Sequence, residues 1–317
     1  MNVKKVNPTN HIISTEQFDV SYLLRLFTLV DQIRKNRKKY QNELKNKIVA
    51  TLFYEPSTRT RFSFEAAVHS LGGSVITTEN ATEFSSFAKG ETIEDSTKVM
   101  ASYADFIVMR HFEDDSAEKA MSVASVPIIN AGSGKKQHPT QALLDAYTIY
   151  HHFGRLDNLK VGFAGDLLRG RTVNSLVYLL AKFPKNKFYF IAPENSKIKK
   201  GIKDHLKRKG LKFQETDVLD KYLEEVDILY MTRIQKERFE SEKEYEKAKG
   251  KLILDLPLVE RMKENAIVMH PLPRVDEIAV EVDNNYRAKY FEQAANGLWV
   301  RMALLKDMND HKTIINK

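Results

Sequence analysis

Apolar residues recur along this chain in two rhythms, and their alternation predicts the fold. Short β-favouring runs at Lys47–Tyr54, Ser74–Thr78, Asp105–Arg110 and Pro127–Asn130 read as strands. Around them, apolar positions at helical spacing mark helices. Leu23, Leu26, Phe27, Val30 and Ile33 lie behind a capping Asp19, and Phe62, Phe64, Ala66, Ala67 and Leu71 lead to a stop at Gly72-Gly73. Further helices are expected at Glu91–Tyr103 and Ser116–Ser125, and Ala131-Gly132-Ser133-Gly134 reads as a flexible turn. A helix opening at Pro139, which suits a first helical position, runs to about His152 and crosses into a second series. There the strands are Leu159–Ala164, Lys187–Ala192, Lys212–Glu215, Asp227–Met231 and Ala266–Met269, with helices at Asn174–Lys182 and Ser196–Lys209. An amphipathic helix, Phe291–Asp307, closes the chain, with Trp299 assigned to the core. Two successive strand–helix series predict an α/β protein: two doubly wound parallel-sheet domains with the active site between them, at the strand C-terminal ends. The expected boundaries are residues 1–140 plus the C-terminal helix 291–317 for one domain, and 141–290 for the other.

Composition narrows the chemistry. The 317 residues suffice for two domains, and the absence of cysteine excludes disulfides, thiolate metal sites and a cysteine nucleophile. It also fits a reducing cytosol, and neither a signal peptide nor an apolar run of about 18 residues is visible, so a soluble cytoplasmic protein is expected. The net charge of +8 invites a nucleic-acid reading. The lysines, however, are dispersed on surface helices (Lys35, Lys38, Lys39, Lys197–Lys209) without interleaved aromatics, so neither nucleic acid nor membrane is expected as a partner.

The stretch from Ser57 to Arg61 (Ser-Thr-Arg-Thr-Arg) joins the first strand to its helix. In isolation it would be a helix cap beside two solvated arginines. At a strand–helix junction it makes an anion site, with free backbone N–H groups, hydroxyl donors and an Arg59 fork suited to phosphate. Arg110 stands at the end of another strand, and His138 and Gln141 share one face of a helix start. His138 could be only a cap, or with Thr60 and Arg110 it could donate to a developing oxyanion. Gly162-Phe163-Ala164-Gly165-Asp166 lacks the spacing of a dinucleotide fingerprint. Arg171 at a helix start suits a carboxylate, and Arg233 and Gln235 at alternate positions form a second such grip. His270-Pro271-Leu272-Pro273 is a rigid loop able to present main-chain carbonyls to an amine. No metal-ligand set, serine-nucleophile elbow or phosphate-binding Walker loop is found, and no cofactor is expected. The inventory points to group transfer between two small anions by positioning and electrostatics.

Taken together and in order, these motifs resemble the aspartate/ornithine transcarbamylase family over nearly the whole length, and its aspartate branch in particular. Ser57–Arg61 is similar to the carbamoyl-phosphate signature and His138-Pro139-Thr140-Gln141 to the second one. The aspartate branch is carried by Met231–Arg238 and His270–Arg274. The resemblance implies transfer of a carbamoyl group from carbamoyl phosphate to the amine of L-aspartate, an early step of pyrimidine biosynthesis, with a carbamoyl-phosphate domain followed by an aspartate domain. By it, Ser57, Thr58, Arg59, Thr60 and Arg110 would hold the phosphate. Thr60, Arg110 and His138 would polarise the carbonyl, and Gln141 would hold the amide. Arg171 would bind the α-carboxylate, Arg233 and Gln235 the β-carboxylate, and the Leu272 carbonyl, beside Pro273, the amine. Ser85 and Lys89 would also bind carbamoyl phosphate, and Lys89 aspartate as well; they match a loop that enters the neighbouring subunit's site, which implies a homotrimer with shared sites. Glu55 matches a bridge to Arg171 and Arg238 on closure. Attachment of regulatory or dihydroorotase subunits stays open. Ser133, Leu168-Arg169 and Asn174 depart from the usual pattern, which bears on closure and allostery. The competing readings are a transcarbamylase for another amine, disfavoured by Arg233-x-Gln235, and a non-catalytic scaffold, disfavoured because Arg59, Lys89, Arg110 and His138 are all present.

Overall fold

The computed structural model describes residues 11–81, 89–234, 241–243 and 252–315. The chain divides into two compact units, Met1–Tyr147 with Asn296–Lys317, and Thr148–Ala295.

In the first unit the order is α1 (Val20–Lys35), β1 (Ile48–Phe53), α2 (Thr58–Ser70), β2 (Ser74–Glu79), α3 (Ile93–Ala101), β3 (Phe106–His111), α4 (Ser116–Val123), β4 (Ile128–Ser133) and α5 (Pro139–Phe153). Asp19 caps α1 by accepting from the Tyr22 amide at 2.7 Å, and the helix buries Leu23, Leu26, Phe27, Val30 and Ile33, the face its spacing predicts. Four parallel strands pair in the order β2-β1-β3-β4, so the two strands richest in apolar residues lie inside and the polar β2 at an edge. Alternate residues Ala50 and Leu52 of β1, and Ile107 and Met109 of β3, join one apolar cluster with Ile93 of α3 and Ala117 and Ala120 of α4.

β4 corrects the sequence reading. Ala131, Gly132 and Ser133 are buried strand residues, not a flexible turn. The pairing of His111 with Ser133 extends the ladder, and Asn130 locks it, accepting from the Gly132 amide at 2.8 Å and donating to the Ser133 hydroxyl at 3.1 Å. Gly134 makes the turn that follows. Its φ is +44°, and a β-carbon there would lie 1.9 Å from Asp114 Oδ1.

The second unit runs β5 (Lys160–Ala164), α6 (Arg171–Leu180), β6 (Lys187–Ile191), α7 (Lys200–Arg208), β7 (Lys212–Thr216), β8 (Ile228–Met231), α8 (Leu256–Glu260), β9 (Ile267–Met269) and α9 (Tyr290–Ile315), whose C-terminal part belongs to the first unit. Its five strands are again all parallel, in the order β7-β6-β5-β8-β9. Phe163 at the centre packs on Phe188, Phe190 and Tyr230 from the flanking strands. The nine strands among the described residues fall where the apolar runs place them, with β4 running on to Ser133. The helices shift more: α6 begins at Arg171 rather than Asn174, α7 starts only at Lys200, and the short α8 carries no periodic signal. Trp299 is half-buried rather than core. Among the described residues, no helix is long and apolar enough to cross a membrane.

Candidate active site

Three adjacent strands of the first sheet deliver their C-terminal ends to one place. Phe53 pairs with Arg110 across β1 and β3, and the Tyr54 amide continues the ladder to the Arg110 carbonyl at 2.9 Å. That register sets the Arg110 side chain beside the segment that follows β1. Its Nε donates to Glu55 Oε2 at 3.1 Å and its Nη1 to the Ser57 hydroxyl at 2.9 Å. Ser57 occupies the N-cap position of α2, yet its side chain makes no cap bond. The hydroxyl faces Arg110 instead, and the first-turn amides of α2 have no side-chain cap. Thr58 and Arg59 on that turn are exposed, and Thr60 is buried. Partial desolvation lowers the Arg59 pKa, which leaves it a cation at neutral pH.

The third strand, β4, leads through Gly134 to His138, which is 3% exposed. The Gln141 amide donates to His138 Nδ1 at 3.3 Å, so the neutral ring carries its proton on Nε2. The cap and donor readings of His138 are therefore compatible: capping with one nitrogen assigns the other as a donor. The Gln141 side chain donates through Nε2 to Asp145 Oδ1 at 2.9 Å. Lys89 is exposed, and Ser85 lies outside the described residues. Glu55, read as a bridge to Arg171 and Arg238, has Arg110 as a partner here, while Arg238 is outside the described residues.

The second sheet repeats the arrangement with β5, β8 and β9. After β5 the chain turns at Gly165, whose φ of +122° lets the backbone approach Thr232. The Thr232 amide bonds the Ala164 carbonyl at 2.7 Å, and Arg233 follows directly, half-buried. The turn is held by buried Asp166, which accepts from the Arg169 amide at 3.1 Å, and by the Ser196 carbonyl, which accepts from the Leu167 and Leu168 amides. It delivers Arg171, 5% exposed, as the first residue of α6. Asn174, one turn on, keeps a buried Oδ1 without a hydrogen-bond partner. Gln235 lies outside the described residues.

Beyond β9, Leu272 has φ +54°, and its amide donates to His270 Nδ1 at 2.8 Å. That assigns the His270 proton to Nε2, which donates to Glu277 at 2.6 Å. Glu277 also accepts from the Val275 and Asp276 amides at 3.1 and 3.2 Å. The Leu272-Pro273 segment is thus held by a buried His–Glu pair as well as by its prolines. Asp145, Glu277 and Arg301 were missed in the sequence. For Asp145 and Arg301 the one available signal was a charged residue inside an otherwise apolar run, in α5 and α9; Glu277, directly after Asp276, carries no such signal.

Residues 10–151 match the carbamoyl-phosphate-binding domain of aspartate/ornithine carbamoyltransferases, and residues 157–308 match the Asp/Orn-binding domain. The chain belongs to this family. A chloroplastic aspartate carbamoyltransferase of Arabidopsis thaliana is 53% identical over 298 residues, covering 93% of this chain and 76% of the relative. The catalytic subunit of Methanocaldococcus jannaschii aspartate transcarbamoylase superposes with a TM-score of 0.89 at 46% identity, over 96% of this chain and 99% of that one. The Trypanosoma cruzi enzyme in complex with N-(phosphonacetyl)-L-aspartic acid gives 0.88 at 39% identity, over 94% and 95%. This carbamoyltransferase therefore matches both domains of the family, the carbamoyl-phosphate-binding one first.

Proposed function

We propose that the chain is an aspartate carbamoyltransferase: it moves the carbamoyl group of carbamoyl phosphate to the amine of L-aspartate, giving N-carbamoyl-L-aspartate and phosphate. The observation that carries this reading is the bond from Arg110 to Ser57, which joins motifs 53 residues apart into one cationic cradle. Ser57, Thr58, Arg59, Thr60 and Arg110 bind the phosphate, using the uncapped amides of α2 as well as the arginine forks. The carbonyl oxygen lies against Thr60, Arg110 and the Nε2 proton of His138, and Gln141 takes the carbamoyl NH2. Arg171 and Arg233, with Gln235 and Lys89, bind the two carboxylates. The Leu272 carbonyl, beside Pro273, orients the neutral amine.

The amine nitrogen attacks the carbonyl carbon, and negative charge moves onto the oxygen against its three donors. The C–O bond to phosphate then breaks, with the arginines neutralising the leaving group. The departing phosphate takes the proton that the attacking nitrogen sheds and leaves as its dianion, so no side-chain base is needed. The proposal includes a cytoplasmic homotrimer in which Ser85 and Lys89 serve the neighbouring subunit.

The test is carbamoylation of aspartate, ornithine, N-acetylornithine and putrescine by the purified chain, followed by ureido formation. Turnover confined to aspartate is expected. Preference for another amine would overturn the roles of Arg233 and Gln235, and failure with every amine would overturn the enzymatic reading.

A further inference from the structure

Gln141 ends in an amide that can offer a ligand either its oxygen or its NH2, and those choices recognise opposite chemistry. Its partner makes the choice. Gln141 Nε2 donates to Asp145 Oδ1, one turn further along α5, and Asp145 is fully buried. An ionised carboxylate only accepts, so the glutamine nitrogen is committed to Asp145 and Oε1 is left for other donors.

A second buried charge stands behind this pair. Arg301 on α9 is 2% exposed; burial pulls its pKa down to about 10 and the charge of Asp145 opposes that fall, so it stays cationic at neutral pH. Its guanidinium lies over the Phe64 ring, 4.8 Å from the centroid. The space it fills exists because residue 297 is glycine: a β-carbon there would come within 2.4 Å of Arg301 Nη1. A mid-helix glycine costs about 1 kcal/mol relative to alanine. Two charges and a glycine thus converge behind one amide that faces a substrate.

We propose that Asp145, with Arg301 as its counter-charge, is a positioning and specificity-determining residue: it fixes Gln141 with its carbonyl outward, so that the site selects an acyl phosphate bearing NH2 over one bearing a methyl group. This rests on the carbamoyl-phosphate reading above. A methyl group leaves Gln141 Oε1 without a donor, whereas NH2 satisfies it.

Asp145→Leu tests the idea because leucine offers the Gln141 amide no acceptor. The Gln141 carbonyl is then no longer held outward, and the amide can present NH2 to the substrate, donor against donor. The expected result is a KM for carbamoyl phosphate raised about ten-fold, kcat within about three-fold of wild type, and a similar loss of preference over acetyl phosphate, read as its inhibition constant. In a Gln141→Ala background the same change should add nothing further, because Asp145 acts through Gln141. An unmoved KM in Asp145→Leu, or independent losses that multiply in the double variant, overturns the proposal. Should the single change fail to fold, Asp145→Leu combined with Arg301→Met removes both buried charges together and leaves Gln141 unanchored. The same KM rise is expected there, and an unchanged KM again overturns the proposal. A wild-type chain inactive on every amine sinks the parent reading; normal wild-type turnover beside an unmoved variant KM sinks this one alone.

Discussion

Replacing Glu277 by glutamine exchanges one oxygen for NH2 in a buried site whose acceptors are all in use. Glu277 is 5% exposed, with one oxygen on His270 Nε2 and the other on the Val275 and Asp276 amides. The glutamine oxygen can serve one side only. If its NH2 faces the two amides, donors oppose donors. If it faces His270, the ring must move its proton to Nδ1, which then opposes the Leu272 amide. Either way a buried polar pair is left unmade, at about 1–3 kcal/mol, and a charge-assisted bond is weakened. The total is about 2–4 kcal/mol, which for a unit of this size lowers the melting temperature by about 5–15 °C. The functional effect goes through Leu272, whose amide loses its anchor when the glutamine NH2 faces His270 and the ring proton moves to Nδ1: KM for aspartate should then rise about ten-fold while binding of carbamoyl phosphate is unchanged.

The pH dependence carries its own sign. Burial pushes the Glu277 pKa up, but the bonds from His270 and the Val275 amide outweigh it and hold the carboxyl below its ordinary range. A depressed carboxylate contributes stability above its unfolded pKa of about 4.3 and loses it as pH falls further. The gap between wild type and Glu277→Gln should therefore be full at neutral pH and close below about pH 4. Thermal unfolding followed by circular dichroism measures both. A melting temperature within about 1 °C of wild type at pH 7 would refute the reasoning.

Gly165→Ala places a β-carbon 2.0 Å from the Thr232 carbonyl oxygen, at a φ of +122°. It should cost about 3 kcal/mol or more and raise KM for aspartate through Arg233; an unperturbed melting curve would contradict that. Phe163→Ala removes the ring that contacts Phe188, Phe190 and Tyr230 and should cost about 3–5 kcal/mol in denaturant unfolding. Less than about 1 kcal/mol would mean that the second sheet repacks around the loss. Arg59→Ala should nearly abolish turnover without unfolding the chain. Mixing it with Lys89→Ala subunits should restore activity if sites are shared between subunits, and mixing without rescue would argue against the trimeric arrangement.

Local information was enough to find the strands and the anion motifs. A buried parallel strand is a short apolar run wherever it lies, and Ser57–Arg61 or His138–Gln141 is recognisable because its members are neighbours in sequence. The same locality explains the misreadings. Ala131-Gly132-Ser133 looks like a turn by composition, and it becomes strand only because β3 lies alongside to pair with it. The helix start is read at Asn174, three residues past Arg171, because Gly170 ahead of that arginine lacks a capping side chain.

The sequence by itself determined two strand–helix series, the order of the motifs and the kind of ligand they suit. Tertiary structure alone decided which strand lies beside which, and hence that Arg110 reaches Ser57, and that Arg301, distant in sequence, is buried over Phe64 within the field of Asp145. The reason is physical: a propensity or a periodicity depends on residues a few positions apart, whereas a buried charge is tolerated only where a partner distant in sequence arrives to meet it.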